Sequence, residues 1–77
     1  MSDEKKFDFK KRWLALSPDE RDEFASEAGT TSHYIQTHLT RKSKIPGKKL
    51  MDRIFKACKK REWISNMSEL TMFFYAP

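Results

Sequence analysis

The stretch that decides the fold is residues 21–40, RDEFASEAGTTSHYIQTHLT, in which two short helical segments flank a single glycine. Ala25 is small enough to lie where two helices cross, and Gly29 permits the left-handed backbone of a tight turn. Ile35 then supplies an apolar contact beneath that turn. The pattern predicts a helix-turn-helix unit at the centre of the chain.

Upstream of this unit, the spacing of apolar residues predicts two helices. Phe9, Trp13 and Leu16 fall on one face of a first helix. Residues 17–20, SPDE, have the form of a capping box with a proline at the first helical position, so they start a second helix. That helix is expected to end at Gly29.

Downstream of the unit, a third helix is expected near residues 32–39, followed by a polar and basic connection over 40–46. Pro46 or Gly47 then opens a fourth helix, which has the clearest amphipathic pattern in the chain. Its apolar face consists of Leu50, Met51, Ile54, Phe55 and Cys58. The opposite face carries lysine and arginine.

The tail, residues 63–77, is rich in large apolar side chains and fits two conformations. Helical spacing relates Met67, Leu70 and Phe74, whereas alternation relates Leu70, Met72 and Phe74 as in a strand. Side chains of this kind either pack on the core or form a subunit interface, and we favour the interface. The predicted dimer contact consists of Leu70, Met72, Phe73, Phe74 and Tyr75.

The composition bounds the fold class. A chain of 77 residues that contains only two glycines and three prolines favours an all-α protein over a turn-rich all-β one. We expect a single domain over 1–77, a compact four- to five-helix bundle with a helix-turn-helix. Its core falls within about 7–62, and the tail is either a short helix or a strand. The lone Cys58 excludes a disulfide framework and a cysteine-based zinc site, and we expect its thiol to be buried.

Charge is distributed unevenly along the chain. Residues 41–61 contain ten lysines and arginines and one acid, Asp52, which gives this stretch a net charge of +9. A field of that sign attracts polyanions such as nucleic acid. The second helix has the opposite character, because residues 18–28 contain five acids and one arginine.

Ala25, Gly29 and Ile35 form the pattern A-x-x-x-G-x-x-x-x-x-I. On these residues the sequence resembles the helix-turn-helix of the lambda-repressor-like family, the Cro and CI regulators of phages and their bacterial relatives. The resemblance covers roughly residues 21–58, which also include the basic connection and the amphipathic helix after the unit.

Two positions depart from the family pattern. Thr30 and His38 stand where the family usually has apolar residues. Leu39 follows directly and can supply the anchor that is missing at His38. In that case the third helix is rotated, which alters the choice of base-facing residues.

The resemblance implies that the third helix enters the major groove of DNA. The side chains that it directs toward the bases are Thr31, Ser32, His33, Gln36, Thr37 and Thr40. Gln36 can form a bidentate pair with adenine, His33 can donate to guanine, and the Thr37 methyl can contact a thymine methyl. The alternative for each residue is local: a threonine that only caps the helix, or a polar side chain that is only solvated.

The residues expected to bind the phosphate backbone are Thr30, Arg41, Lys42, Lys44, Lys48 and Lys49. Thr30 lies where the amides of a helix N-terminus suit phosphate oxygens. The five cations flank the third helix in sequence. The acids of the second helix oppose this arrangement, because in the family the N-terminus of that helix approaches the DNA backbone.

These observations predict a sequence-specific DNA-binding transcription regulator, a Cro-type phage or prophage repressor. It would bind a pseudo-palindromic operator as a homodimer through the helix at 32–39. The alternative is a small protein-interaction module, antitoxin-like or an inhibitor, that uses its basic face on an acidic partner.

Other classes of function find little support in the residues. We see no catalytic constellation and no metal-ligand spacing, so we expect no enzyme activity, no cofactor, no metal and no small-molecule ligand. The apolar runs are too short to span a bilayer, and we expect no membrane association. One thiol and no export signal favour the bacterial cytoplasm or nucleoid.

Overall fold

The computed structural model describes residues 7–75, and every regular element in this range is a helix. The elements are α1 (Phe9–Leu14), α2 (Pro18–Ala28), α3 (Ser32–Tyr34), a π-helical segment (Ile35–Leu39), α4 (Lys48–Lys60) and α5 (Met67–Tyr75). The π-helical segment continues α3 directly, and together they form the third helix. The predicted all-α bundle is confirmed.

Helix α2 begins and ends where the sequence indicates. The Ser17 hydroxyl accepts from the Glu20 amide at 3.2 Å, and the Ser17 amide donates to the Glu20 carboxylate at 2.8 Å, which completes the capping box. These bonds hold the pKa of Glu20 below its ordinary value. At the other end Gly29 has φ of 77°, and Thr30 donates to the Ala25 carbonyl at 2.9 Å, the bonding of a Schellman turn.

The third helix changes its hydrogen-bond register after one turn. The Thr40 amide donates to the Ile35 carbonyl five residues back, at 3.0 Å, as in a π-helix. Ile35 and Leu39 are fully buried, while His38 is half-buried with its ring 4.9 Å from that of Tyr34. Leu39 therefore supplies the anchor that His38 lacks, as the sequence suggests.

The tail forms helix α5. The Asn66 side chain accepts from the Glu69 amide at 3.1 Å, and the Glu69 carboxylate accepts from the Ser65 amide at 2.6 Å, so the helix start is capped. Leu70, Phe73 and Phe74 lie on one face and are buried, as helical spacing requires. No residue in the range 7–75 lies in a strand.

Aromatic rings from both ends of the chain form the centre of the core. The Phe9 ring lies 5.8 to 6.3 Å from the rings of Trp13, Phe24, Phe73 and Phe74. Because α5 provides two of these rings, the tail belongs to the hydrophobic core of this chain. The remaining residues of the hydrophobic core are Ala25, Ala28, Ile35, Leu39, Met51, Ile54, Ala57, Cys58, Ile64 and Leu70.

Candidate nucleic-acid interface

The outward side of the third helix carries four polar residues of the predicted base-reading set. They are Ser32, His33, Gln36 and Thr37, and we call them the reading face. His33 and Gln36 are exposed, and Ser32 and Thr37 are half-buried. The His33 ring nitrogen lies 3.4 Å from the Thr37 hydroxyl one turn later. The reading face offers amide, imidazole and hydroxyl groups, which are suited to base edges.

The two other predicted base-reading threonines have structural tasks. The exposed Thr31 is the N-cap of the third helix, and its hydroxyl accepts from the Tyr34 amide at 3.1 Å. Thr40 is only 6% exposed, and its hydroxyl donates to the Gln36 carbonyl at 2.7 Å. The expectation that Thr40 faces the major groove is therefore corrected. The π-helical register is the physical reason, because it places Thr40 on the same side as the buried Ile35.

Gln36 is held by a residue of the first helix. The indole nitrogen of the buried Trp13 donates to the Gln36 side-chain oxygen at 2.7 Å. Both residues border a cleft of about 300 Å³ between the first, second and third helices. The cleft is lined by Trp13, Pro18, Arg21, Asp22, Ser32, His33 and Gln36.

The acids of α2 have four kinds of environment. Glu20 completes the capping box. Glu27 binds Lys60 at the end of α4 and Arg61 directly after it. Asp22 borders the cleft together with three residues of the reading face. Asp19 and Glu23 are exposed. Asp22 is therefore the one acid of α2 that lines the cleft beside the reading face.

Four of the cations predicted to bind phosphate remain available to a polyanion. Arg41, Lys44, Lys48 and Lys49 are exposed, and within residues 7–75 none of them has an acidic partner within ion-pair distance. We call these four the proximal cations. Arg41 and Lys44 lie in the connection after the third helix, and Lys48 and Lys49 begin α4.

The two other residues predicted to bind phosphate, Lys42 and Thr30, have contacts or burial within the chain. Lys42 is exposed, but its ammonium group lies 4.6 Å from the centre of the Phe73 ring, a cation–π contact with α5. Its backbone has φ of 59°, the left-handed conformation that ends the third helix. Thr30 is half-buried in the turn that precedes the third helix.

A second cleft, of about 260 Å³, lies between that turn and α4. It is lined by Ala28, Gly29, Thr30, Tyr34, Lys49, Leu50 and Arg53. Arg53 is a candidate phosphate ligand that the sequence prediction missed, although its position one helical turn after Lys49 puts both cations on one face. Its guanidinium lies so close to Gly29 that a Cβ atom there would meet it.

Three cations in and directly after the last part of α4 are paired with acids of the same chain. Lys56 lies 3.7 Å from Asp52, and Lys60 and Arg61 lie 3.2 and 2.8 Å from Glu27. We call Lys56, Lys60 and Arg61 the distal cations. Hydrogen bonds from Arg61, and then from Lys60, hold the pKa of Glu27 below its ordinary value. Of the ten cations in residues 41–61, only these three form ion pairs within residues 7–75.

The predicted dimer contact is divided between the core and the surface. Leu70, Phe73 and Phe74 are buried inside this chain, so a partner could not reach them without displacing α5. Met72 and Tyr75 are 59% and 60% exposed. Of the predicted dimer contact, only Met72 and Tyr75 are therefore accessible to a partner, because the other three side chains face the core.

The remaining chemistry in the described range is sparse. Cys58 is fully buried, and burial raises the pKa of its thiol to about 12, so the thiol stays protonated at neutral pH. No group of three or more His, Cys, Asp or Glu residues between 7 and 75 could hold a metal ion. Within the same range, each helix falls short of the length and apolar character needed to cross a bilayer.

Comparisons with models of protein families, with curated proteins and with solved structures found no match to this chain.

Proposed function

We propose that this protein is a sequence-specific DNA-binding regulator that places the reading face of its third helix in the major groove. The observation that carries the proposal is that the proximal cations lie near the third helix, at its start and in the connection that follows it. Lys49 borders a cleft with Thr30 and Tyr34 at the start of the third helix, and Arg41 follows directly after its end. Exposed polar side chains flanked by unpaired cations are what base reading and phosphate binding require.

The two groups of residues have different tasks in this proposal. The proximal cations bind phosphates and release counterions, which gives affinity for every duplex and a strong dependence on salt. The reading face contacts base edges and distinguishes one duplex from another. As a repressor of Cro type, the protein would occupy an operator and exclude polymerase from it.

Asp22 limits how α2 meets the DNA. Its carboxylate borders the cleft next to the reading face, where it would repel a phosphate placed close to α2. We therefore expect Asp22→Asn to strengthen binding to all duplexes alike, by about 2- to 5-fold at low salt. Glu23→Gln is the matched control, because Glu23 is exposed on the same helix but does not line the cleft.

A single short reading helix specifies few base pairs, so the proposal includes two copies on a pseudo-palindromic operator. Met72 and Tyr75 are the proposed contact between them. Replacing both by glutamate should abolish the dimer in sedimentation equilibrium and leave the thermal unfolding midpoint nearly unchanged. The control is Ile45→Glu, which changes an exposed apolar residue outside α5. A dimer that survives the double substitution would remove α5 from the interface.

Selection of bound duplexes from a randomised pool tests the function as a whole. The proposal predicts enrichment of an inverted repeat whose half-sites lie about one helical turn apart. Repeating the selection with Gln36→Ala should relax the preference at one position in each half-site. Enrichment of no sequence, with binding that disappears at physiological salt, would contradict sequence-specific recognition.

A second candidate is a protein-interaction module that binds an acidic partner through its proximal cations. The observation that favours it is the acidic character of α2, where Asp19, Asp22 and Glu23 are exposed and Asp22 lines a cleft with the third helix. Such a module would show no preference among duplexes in the selection. Its binding to a polyacidic peptide would depend on the proximal cations and not on Gln36.

A further inference from the structure

We infer that Trp13 is a positioning residue that fixes the side chain of Gln36 for the recognition of one base, adenine. The inference rests on the proposed function. It begins with the contact between the two residues, which lie 23 positions apart in the sequence and are joined by a hydrogen bond of 2.7 Å.

Trp13 is a rigid support for this contact. Its side chain is fully buried, and its ring packs 6.3 Å from Phe9 and 5.9 Å from Phe24. The Arg21 guanidinium lies 5.8 Å from the ring centre and donates to the Trp13 carbonyl at 3.3 Å. A large side chain that is enclosed in this way has one orientation, so its indole N–H points in one direction.

The indole also determines which way the Gln36 amide faces. An indole nitrogen can only donate, so the atom that meets it must be the Gln36 oxygen. The amide nitrogen is consequently the free donor, while the oxygen retains one lone pair that Trp13 does not use. Gln36 is exposed apart from this contact, so both groups can reach a ligand.

One donor next to one acceptor is the pattern that matches the major-groove edge of adenine. The Gln36 amide nitrogen would donate to N7, and the remaining lone pair of its oxygen would accept from the N6 amino group. Guanine presents two acceptors at the same edge and would leave the Gln36 oxygen without a donor. A glutamine that is already held in place also loses less side-chain freedom when it binds.

The test uses variants that remove the indole N–H and retain an aromatic ring. Trp13→Phe is the genetic variant, and replacement of Trp13 by benzothienylalanine in the chemically synthesised chain retains the shape of the indole with sulfur in place of N–H. The DNA probes are the selected duplex, the same duplex with the adenine read by Gln36 changed to guanine, and a scrambled duplex. The base pair that Gln36 reads is identified as the position in the duplex at which the Gln36→Ala variant no longer prefers one base.

We expect either variant to reduce the discrimination between the adenine and guanine duplexes by about threefold or more. Affinity for the scrambled duplex should stay within about twofold of that of the wild type, because the proximal cations are unchanged. In a Gln36→Ala background, the Trp13 variants should have no further effect on discrimination. A merely structural role for Trp13 would instead change the affinity for all three duplexes together.

Three results would overturn the inference. The first is unchanged adenine discrimination in the benzothienylalanine variant, and the second is a Gln36→Ala variant that retains the preference at every position. In both cases the wild type still selects a sequence, so the proposed function stands without the inference. The third is a wild type without any sequence preference, which contradicts the proposed function itself.

Discussion

The two halves of the basic stretch 41–61 contain five lysines and arginines each, but within residues 7–75 only the second half forms ion pairs. The proximal cations, in the first half, are exposed and have no acidic partner within residues 7–75. The distal cations, in the second half, are all bound to Asp52 or Glu27. The net charge of a segment therefore overstates the charge that it offers to a partner.

The helix dipole sharpens this difference. The distal Lys60 lies at the C-terminus of α4 and Arg61 directly follows it, where cations stabilise a helix. Lys48 and Lys49 occupy the first turn of the same helix, where cations are unfavourable, and its N-cap Gly47 provides no side-chain hydrogen bond. Residues that reduce the stability of their own helix are better explained by a ligand than by folding.

The largest expected effect separates the two halves on DNA. Replacing all four proximal cations by glutamine should weaken binding to the selected duplex on the order of a hundredfold or more at low salt. The slope of log affinity against log salt should fall by about 0.9 for each phosphate that the variant no longer binds. Both quantities can be measured by fluorescence anisotropy at several salt concentrations.

The control is glutamine at Lys56 and Lys59, which lie in the second half of the stretch and outside the Glu27 ion pairs. Because it replaces two cations and not four, the two variants are compared per replaced cation. The control should change the affinity by less than about threefold, since an exposed charge away from the interface acts only through a screened field. Equal reductions in affinity per replaced cation for the two variants would mean that the whole stretch binds DNA.

The next largest expected effect is on stability, and it tests how much the ion pairs of the distal cations contribute to folding. Glu27→Gln removes the charge that holds Lys60 and Arg61, and we expect a decrease of about 1–2 kcal/mol in the free energy of unfolding. Denaturant titration measures this value, with Glu23→Gln as an exposed control on the same helix. A Glu27→Gln variant as stable as the control would show that the distal ion pairs are only surface contacts.

Lowering the pH should weaken the same ion pairs of Glu27. Because hydrogen bonds from Arg61 lower the pKa of Glu27 from 4.5, its stabilising effect is complete above pH 4.5 and is lost as the pH falls through the lowered value. Thermal unfolding should therefore show a steeper loss of stability below pH 4.5 in the wild type than in Glu27→Gln. Parallel curves would contradict a lowered pKa at this residue.

The start of α4 provides a test in which stability and binding change in opposite directions. Glutamate in place of both Lys48 and Lys49 should stabilise the protein by about 0.3–1 kcal/mol for each residue, because acids suit a helix N-terminus. The same variant should bind DNA more weakly than the wild type. A variant that is both less stable and weaker in binding would indicate that the two lysines support the fold.

The smallest effect concerns the residues that end the third helix and α4. Lys42 and Glu62 both have left-handed backbones, with φ of 59° and 61°. Glu62→Gly should raise the free energy of unfolding by about 0.5–1 kcal/mol, because glycine adopts this conformation without strain. Lys42→Gly should give almost no net gain, since it also removes the cation–π interaction with Phe73. Equal gains would show that this interaction contributes nothing.

Local signals allow much of the fold to be predicted. The capping box at Ser17, the stop at Gly29 and the apolar face of α4 each depend on residues within a few positions of one another. The tail is ambiguous in the sequence because Leu70, Met72 and Phe74 also alternate. The capping pattern of Asn66 and Glu69 is a local indication of a helix, and the aromatic core around Phe9 stabilises it.

The site is less predictable because its decisive contacts are not local. The spacing of apolar residues in the third helix does not predict its π-helical register, and this register buries Thr40. The bond from Trp13 to Gln36 and the ion pair from Glu27 to Arg61 span 23 and 34 positions. The proximal and distal cations therefore look alike in the sequence, and only the fold distinguishes them.

The most direct test of the central claim is an NMR titration of the isotope-labelled protein with the selected duplex. The account predicts that amide shifts change mainly over residues 31–37 and 41–49, with little change over 56–61 and in the buried face of α5. Shifts that concentrate in the second half of the basic stretch, or in α5, would contradict the proposal that the third helix and the proximal cations form the DNA interface.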